Sequence, residues 1–181
     1  SLAMFFRSKT IRLAILISTF IIAAIIIFQL IWLRKVYYYE QKEFDHAIAK
    51  VVRGFYEDID DPSFSSYTLS ELITNPNEQT FFVRIGRNGL NVDSTKVLLQ
   101  SELEDEAIFT DCYVGYYNAS KKNYDFNIYL PSATANKKEN ISMPVLGEPY
   151  NHLTLYFPLR NKYILSQMKF CIISSIVLVL E

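Results

Sequence analysis

Few side chains in this sequence have the means to do chemistry. Among 181 residues the candidates are two histidines, His46 and His152, two cysteines, Cys112 and Cys171, and one acidic run, Glu102-Leu-Glu-Asp-Glu106. Histidine binds metals and titrates near neutral pH. His46, however, falls on the polar side of a helical stretch and His152 opens a strand, where ordinary surface histidines also stand. A carboxylate run can attract a divalent cation, and it can equally be a solvated helix face. Cys112 has the apolar neighbours of a small core residue, and Cys171 lies in an apolar run, so neither a disulfide framework nor a cysteine-based zinc site is available. The sequence has no His-x-x-x-His or Cys-x-x-Cys spacing, no Gly-x-Ser-x-Gly elbow and no phosphate loop. Asn118-Ala-Ser and Asn140-Ile-Ser match the glycan acceptor pattern. No residue receives a catalytic or metal-binding role, and no cofactor is expected.

The elements that would position these residues follow from an uneven spread of apolar residues. Leu13 to Leu33 is a stretch of twenty-one residues without a charge, about 30 Å long as a helix, which matches the hydrocarbon core of a bilayer. Arg7, Lys9 and Arg12 precede it and would suit a signal peptide, but the stretch is too long and Gln29-Leu-Ile-Trp-Leu-Arg-Lys35 offers no small-residue cleavage site. It therefore reads as a retained anchor, with Trp32, Arg34 and Lys35 at the membrane interface. Phe170 to Leu180 is apolar again and too short to span. It is expected to be the first half of a second, truncated transmembrane helix, with Lys169 at the outer interface. Ser-Leu-Ala before Met4 reads as a tag remnant.

Charge sets the expected orientation. Residues 36 to 168 carry 12 basic and 18 acidic side chains, a net of −6, while basic residues cluster before the first span. The N-terminus is placed in the cytoplasm and the middle outside it. The whole chain has 18 Lys+Arg against 19 Asp+Glu; without a cationic face, nucleic acid is not an expected partner.

After the first span Phe44, Ile48, Val51, Val52, Phe55 and Ile59 recur at steps of three and four, with charged residues on the other faces. The span and this stretch can form one rod of about 45 residues, near 65 to 70 Å long, which Asp60-Asp61-Pro62-Ser63 ends. The stripe fits core contact with an adjacent sheet, or a seam to a second copy of the chain, and both can hold on different faces. Strands are expected at 81–85, 112–118, 124–130 and 153–157, and a helix from Asp93 to about Ile108 with Val97, Leu99, Leu103 and Ala107 as its apolar side. Asn118 to Asn123 makes a hairpin turn. Cys112, Val114, Tyr116, then Tyr124, Phe126, Ile128, Leu130, then Leu153, Leu155, Phe157 form the apolar strand sets. Tyr113, Tyr117, Tyr129 and Tyr156 fall on the opposite face, where they either line a pocket or cover the sheet. A helix from about Asn161 is expected to run into the second span, and Pro131 to Pro144 to be a mobile loop. The order gives an α+β domain, helices on one face of an antiparallel sheet.

Gln29-Leu-Ile-Trp-Leu-Arg-Lys35 followed by Glu40-Gln-Lys-Glu-Phe44 resembles the N-terminal region of membrane-bound sensor histidine kinases of the Bacteroidetes. So do Leu99-Gln-Ser-Glu-Leu103 through Ile108 to Tyr113-Val-Gly-Tyr-Tyr117, and Tyr156-Phe-Pro-Leu-Arg-Asn-Lys-Tyr-Ile-Leu-Ser-Gln-Met168. The resemblance implies a PAS-like periplasmic sensor (34–162) between a first span (13–33), after a cytoplasmic N-terminus (1–12), and the start of a second (163–181). It further implies the bacterial inner membrane, a homodimer, and a response regulator reached through cytoplasmic domains. The phosphoacceptor box and ATP-site motifs of that family are absent, so these residues are expected to have no kinase activity. Phe44, Ile48, Val51 and Phe55 are the expected dimer and signalling seam. The alternative is a membrane-anchored binding or assembly protein without kinase output.

Overall fold

The computed structural model describes residues 2–132, 142–144 and 147–180, with side chains from Arg7 onward. Two compact units divide the chain. One comprises the N-terminal part up to Lys42 and the C-terminal part from Ile164; the other is Glu43–Tyr163.

Helix α1 runs without a break from Leu2 to Ile59. Its segment within the first unit is apolar and exposed, and by length and composition it could cross a membrane. In that unit a second apolar helix, called α6 below (Lys169–Leu180), hydrogen-bonds to it: Ser175 Oγ donates to Gln29 Oε1 at 2.8 Å. Each of these polar groups satisfies the other inside an otherwise apolar contact.

The Glu43–Tyr163 unit is built on five antiparallel strands: β1 (Ile73–Asn77), β2 (Thr80–Arg84), β3 (Cys112–Asn118), β4 (Asn123–Leu130) and β5 (His152–Tyr156). They lie in the order β1-β2-β5-β3-β4. Short helices α2 (Ser63–Ser66) and α3 (Leu69–Leu72) precede β1, α4 (Val92–Asp105) joins β2 to β3, and α5 (Arg160–Gln167) follows β5. β1 is an edge strand and tolerates Pro76, which has no ladder hydrogen to donate.

The α1 stripe Phe44, Ile48, Val51, Val52 and Phe55 is buried in this unit. It meets the sheet face made by Phe81 and Val83 of β2, Leu153 and Leu155 of β5, and Phe157 just beyond; Phe44 lies 5.3 Å from Phe157 and 6.3 Å from Phe81 between ring centroids. Val114 of β3 is the register partner of both Ile128 of β4 and Leu155 of β5, which extends the same apolar face across the three strands. α4 adds Leu99 and Leu103, buried at a four-residue step.

α1 ends where the acidic turn is. Asp60 takes a left-handed φ of 49°, and the buried Asp61 carboxylate accepts from Ser63 N at 2.8 Å and Gly86 N at 3.1 Å. Arg87 Nη1 donates to Ile59 O at 2.8 Å, satisfying an orphan carbonyl of the last turn. Gly86 is required here, since a Cβ would stand 2.4 Å from Ser63 Oγ. Gly54, inside α1, lies under the Glu102 carboxylate of α4: a Cβ there would meet Oε2 at 2.2 Å.

Several expectations need correcting. α4 stops at Asp105, Val97 is 66% exposed, and Ala107 lies past the helix at a φ of 54°, so neither belongs to the apolar side. α4 begins at Val92 rather than Asp93 and is capped by Asn91, whose Oδ1 accepts from Ser94 N. The helix expected to run from Asn161 into the apolar end of the chain is broken at Met168 into α5 and α6. β1 was not anticipated. Most of the Pro131–Pro144 loop, with Asn140, lies outside the described residues.

Candidate functional site

The sheet's second face is the unusual one. A strand alternates faces, so Phe82 and Arg84 of β2, His152 and Thr154 of β5, and Gly115 and Tyr117 of β3 point away from α1. Tyr124 joins them because the β3–β4 register shifts between Tyr116 and Tyr117. Phe126 opposes Tyr116 while Tyr124 opposes Tyr117, leaving Asp125 bulged. A one-residue bulge reverses the facing of everything past it, so Tyr124 leaves the apolar set in which simple alternation puts it.

Tyr124 lies over Gly115, where a Cβ would come within 2.8 Å of the ring. Its hydroxyl donates to Pro144 O at 2.6 Å and pairs with Thr154 Oγ1 at 3.0 Å. Residues preceding β5 thus cover the sheet, and Met143 is buried with them. Arg84 completes the cover: its guanidinium carbon lies 4.7 Å from the Tyr67 ring and 4.8 Å from the Tyr150 ring, a cation between two aromatic faces.

At the centre is His152, fully buried. Its ring lies 4.3 Å from Phe82, 4.8 Å from Tyr117 in a stacked arrangement, and 5.9 Å from Tyr150. Nδ1 is 3.2 Å from Tyr150 O; since a carbonyl only accepts, the proton of the neutral ring is on Nδ1 and Nε2 presents a lone pair. That Nε2 has no hydrogen-bond partner among the described residues. Burial lowers the imidazole pKa below its usual value, against a smaller opposing effect of the Tyr150 carbonyl. The surface histidine expected at this position is therefore a buried, neutral one.

A second polar cluster lies where α1 enters this unit. Arg160 is 3% exposed, its Nη2 donating to Asp45 Oδ1 at 3.1 Å and its guanidinium carbon 5.2 Å from the Phe44 ring. Among the described residues Nε and Nη1 have no partner. A guanidinium does not deprotonate in a protein, so Asp45 and the Phe44 face carry this buried charge between them. Tyr163 packs on Phe44 at 6.0 Å and donates to Ala107 O at 2.9 Å.

Phe44, Ile48, Val51 and Phe55 are all interior to the unit, with exposures of 5%, 0%, 0% and 0%. Their side chains are spent on this chain's own sheet, so a second copy meeting α1 would find Glu43, His46, Lys50, Arg53 and Glu57, which are exposed. Tyr113 and Tyr117 are buried, Tyr129 and Tyr156 half-buried, and the Tyr113 and Tyr129 rings lie 4.9 Å apart in a tilted arrangement. Cys112 is buried and its thiol pKa is pushed up by desolvation. Asn118 spends its side chain on the hairpin turn, Oδ1 accepting from Ser120 N and Lys121 N. Glu102 packs over Gly54, its pKa raised first by desolvation and then by Asp58, Asp105 and Glu106. Among the described residues no group of three His, Cys, Asp or Glu is placed to hold a metal ion. Trp32, Arg34, Lys35 and Lys169 belong to the first unit; Arg34 and Lys169 are exposed, and Trp32 is 40% exposed.

The fold is thus mixed helix and sheet, with a long apolar N-terminal helix and a five-stranded antiparallel sheet. The chain matches no protein-family model, no curated protein and no solved structure.

Proposed function

We propose that this chain is the input region of a membrane-bound sensor histidine kinase, with a PAS-like domain in the periplasm, α1 and α6 as transmembrane helices, and a homodimer as the signalling unit. The observation that carries the reading is that α1 is a single hydrogen-bonded helix. Its N-terminal part has the length and composition of a membrane span, and Phe44, Ile48, Val51 and Phe55 of the same helix are buried in the sheet domain. A change in how the sheet packs on those four residues acts on the helix itself, and two packings that differ by a few kcal/mol suffice for a switch. Arg160 adds a tie: the first residue of the helix after β5 is paired with Asp45 of α1. The stimulus acts outside the membrane, phosphotransfer to a response regulator belongs to cytoplasmic domains, and the residues described here do no chemistry. The dimer seam lies on a face of α1 other than the buried stripe.

Reading the native gene past the codon for Glu181 tests this. A continued apolar span, then a phosphoacceptor helix and an ATP-binding domain, is the expected result. A reading frame that closes soon after the span overturns it in favour of a membrane-anchored binding or assembly protein.

A further inference from the structure

The enclosure of His152 is not explained by packing alone. An apolar or aromatic residue would fill the space between Phe82 and Tyr117 without leaving a lone pair unsatisfied, and an unsatisfied buried polar atom is costly. The groups around the ring are Phe82 and Arg84 from β2, Arg84 being its register partner, Tyr117 from β3, and Tyr150 from the residues before β5. Tyr124 of β4 lies against Tyr117 at 5.5 Å. The only charged one of these is a cation, and no carboxylate among the described residues is placed to offset a second positive charge. The aromatic rings cover the faces of the imidazole, whereas an Nε2–H points outward in the ring plane, where no acceptor stands among the described residues.

We propose that His152 is a proton-binding site. When Nε2 takes a proton from the medium, the charged ring can no longer stay in its enclosure, and the covering residues Ser142–Pro144 and Gly147–Tyr150 leave the outer face of the sheet. The ligand is the proton, and the inference rests on the sensor reading for its meaning, because it names acidification as a stimulus. The covering residues are held by contacts that can be broken one at a time: Tyr124 Oη to Pro144 O, Tyr150 O to His152 Nδ1, and Arg84 on the Tyr150 ring. Opening exposes Nε2 to water, which supplies the acceptor that the closed form lacks.

The test is amide hydrogen exchange on the full chain in phosphatidylcholine nanodiscs, corrected for intrinsic rates, at pH 7.5 and pH 5. Amides of Tyr150, Asn151 and the start of β5 are expected to exchange at least tenfold faster at the lower pH. His152→Phe, which keeps an aromatic ring between Phe82 and Tyr117, is expected to abolish that acceleration, and His46→Gln, on the exposed side of α1, to leave it intact. Acceleration that persists in His152→Phe overturns the proposal, as does a wild-type chain with equal rates at both pH values. Should His152→Phe not fold, the NMR titration of the His152 ring in the wild type decides. Titration below the ordinary value, in step with loss of protection at Tyr150, supports the site; titration at or above that value with protection retained overturns it. These readouts report on the domain alone, so their failure leaves the sensor reading standing, and that reading fails separately on the gene sequence.

Discussion

The two faces of the sheet are built by different rules. The face under α1 is closed by Phe, Val, Leu and Ile from α1, α4 and the strands, and its polar members, such as the Tyr116 hydroxyl, reach backbone groups: Tyr116 donates to Arg87 O at 3.0 Å. The other face is aromatic and polar, with His152, Thr154, Tyr117 and Tyr124 arranged around one unpartnered nitrogen. Apolar burial holds in proportion to area and needs no particular partner, so the α1 face gives the domain its stability. The aromatic face is held by a few directional contacts, each modest in net terms, and is the face that can open without unfolding the rest. One side of the sheet is a foundation and the other a closure.

Breaking the foundation should have the largest effect. Phe55→Ala empties a fully buried site between α1 and the sheet, and a loss of about 3–5 kcal/mol is expected, read as a lowered denaturation midpoint by near-ultraviolet circular dichroism in detergent. On the other face, Gly115→Ala puts a Cβ 2.7 Å from Asn127 Oδ1 and 2.8 Å from the Tyr124 ring. It is expected to cost about 1–3 kcal/mol and, unlike Phe55→Ala, to raise exchange at the covering residues more than in α1. Equal loosening of both faces would erase the distinction drawn here.

The Asp45–Arg160 tie separates pairing from packing. Asp45→Ala leaves a buried guanidinium without its counter-charge; with Asp45 itself 44% exposed, about 1–2 kcal/mol is expected, less than for a wholly enclosed pair. Arg160→Met removes the charge with its unpartnered donors and is expected to change the midpoint by less than about 1 kcal/mol. If Arg160→Met proved the more damaging of the two, the pair would be a source of stability rather than a compensated charge.

Glu102 gives the smallest effect. The folded protein holds its proton more tightly than the unfolded chain does, so its contribution to stability is present at low pH and is lost as pH rises above the ordinary carboxylate range. Glu102→Gln keeps a partner for Asp58 and removes the repulsion from Asp105 and Glu106. A midpoint higher by about one degree at pH 7, with no difference at pH 4, is expected.

Much of the foundation was legible in the sequence, because a stripe at steps of three and four and strands of alternating apolar residues report on burial directly. β2 to β5 stand within one residue of where those patterns put them, and α1 ends at Ile59, beside the expected Asp60 stop, although it begins at Leu2 rather than Leu13. The closure was not legible, for local reasons. The bulge at Asp125 turns Tyr124 to the other face, and no residue type announces a bulge there. The burial of His152 depends on Phe82 and Tyr117, which sequence separates from it by some seventy and thirty-five residues. β1 carries Asn75-Pro76-Asn77, a turn signature that it can hold because, as an edge strand, it pairs on its outer side with no strand among the described residues. Gly54, a residue that costs stability inside a helix, makes room for the Glu102 side chain of α4, a contact no local pattern announces.

That α1 spans a membrane and holds the sheet domain on the far side is tested by thiol labelling in intact cells. In a Cys171→Ala background, Ser8→Cys and Ser101→Cys, both at exposed positions, are treated with a membrane-impermeant maleimide before and after lysis. Labelling of Ser101→Cys on intact cells, with Ser8→Cys labelled only after lysis, is the predicted result. Both positions labelled on the same side of the membrane would contradict it.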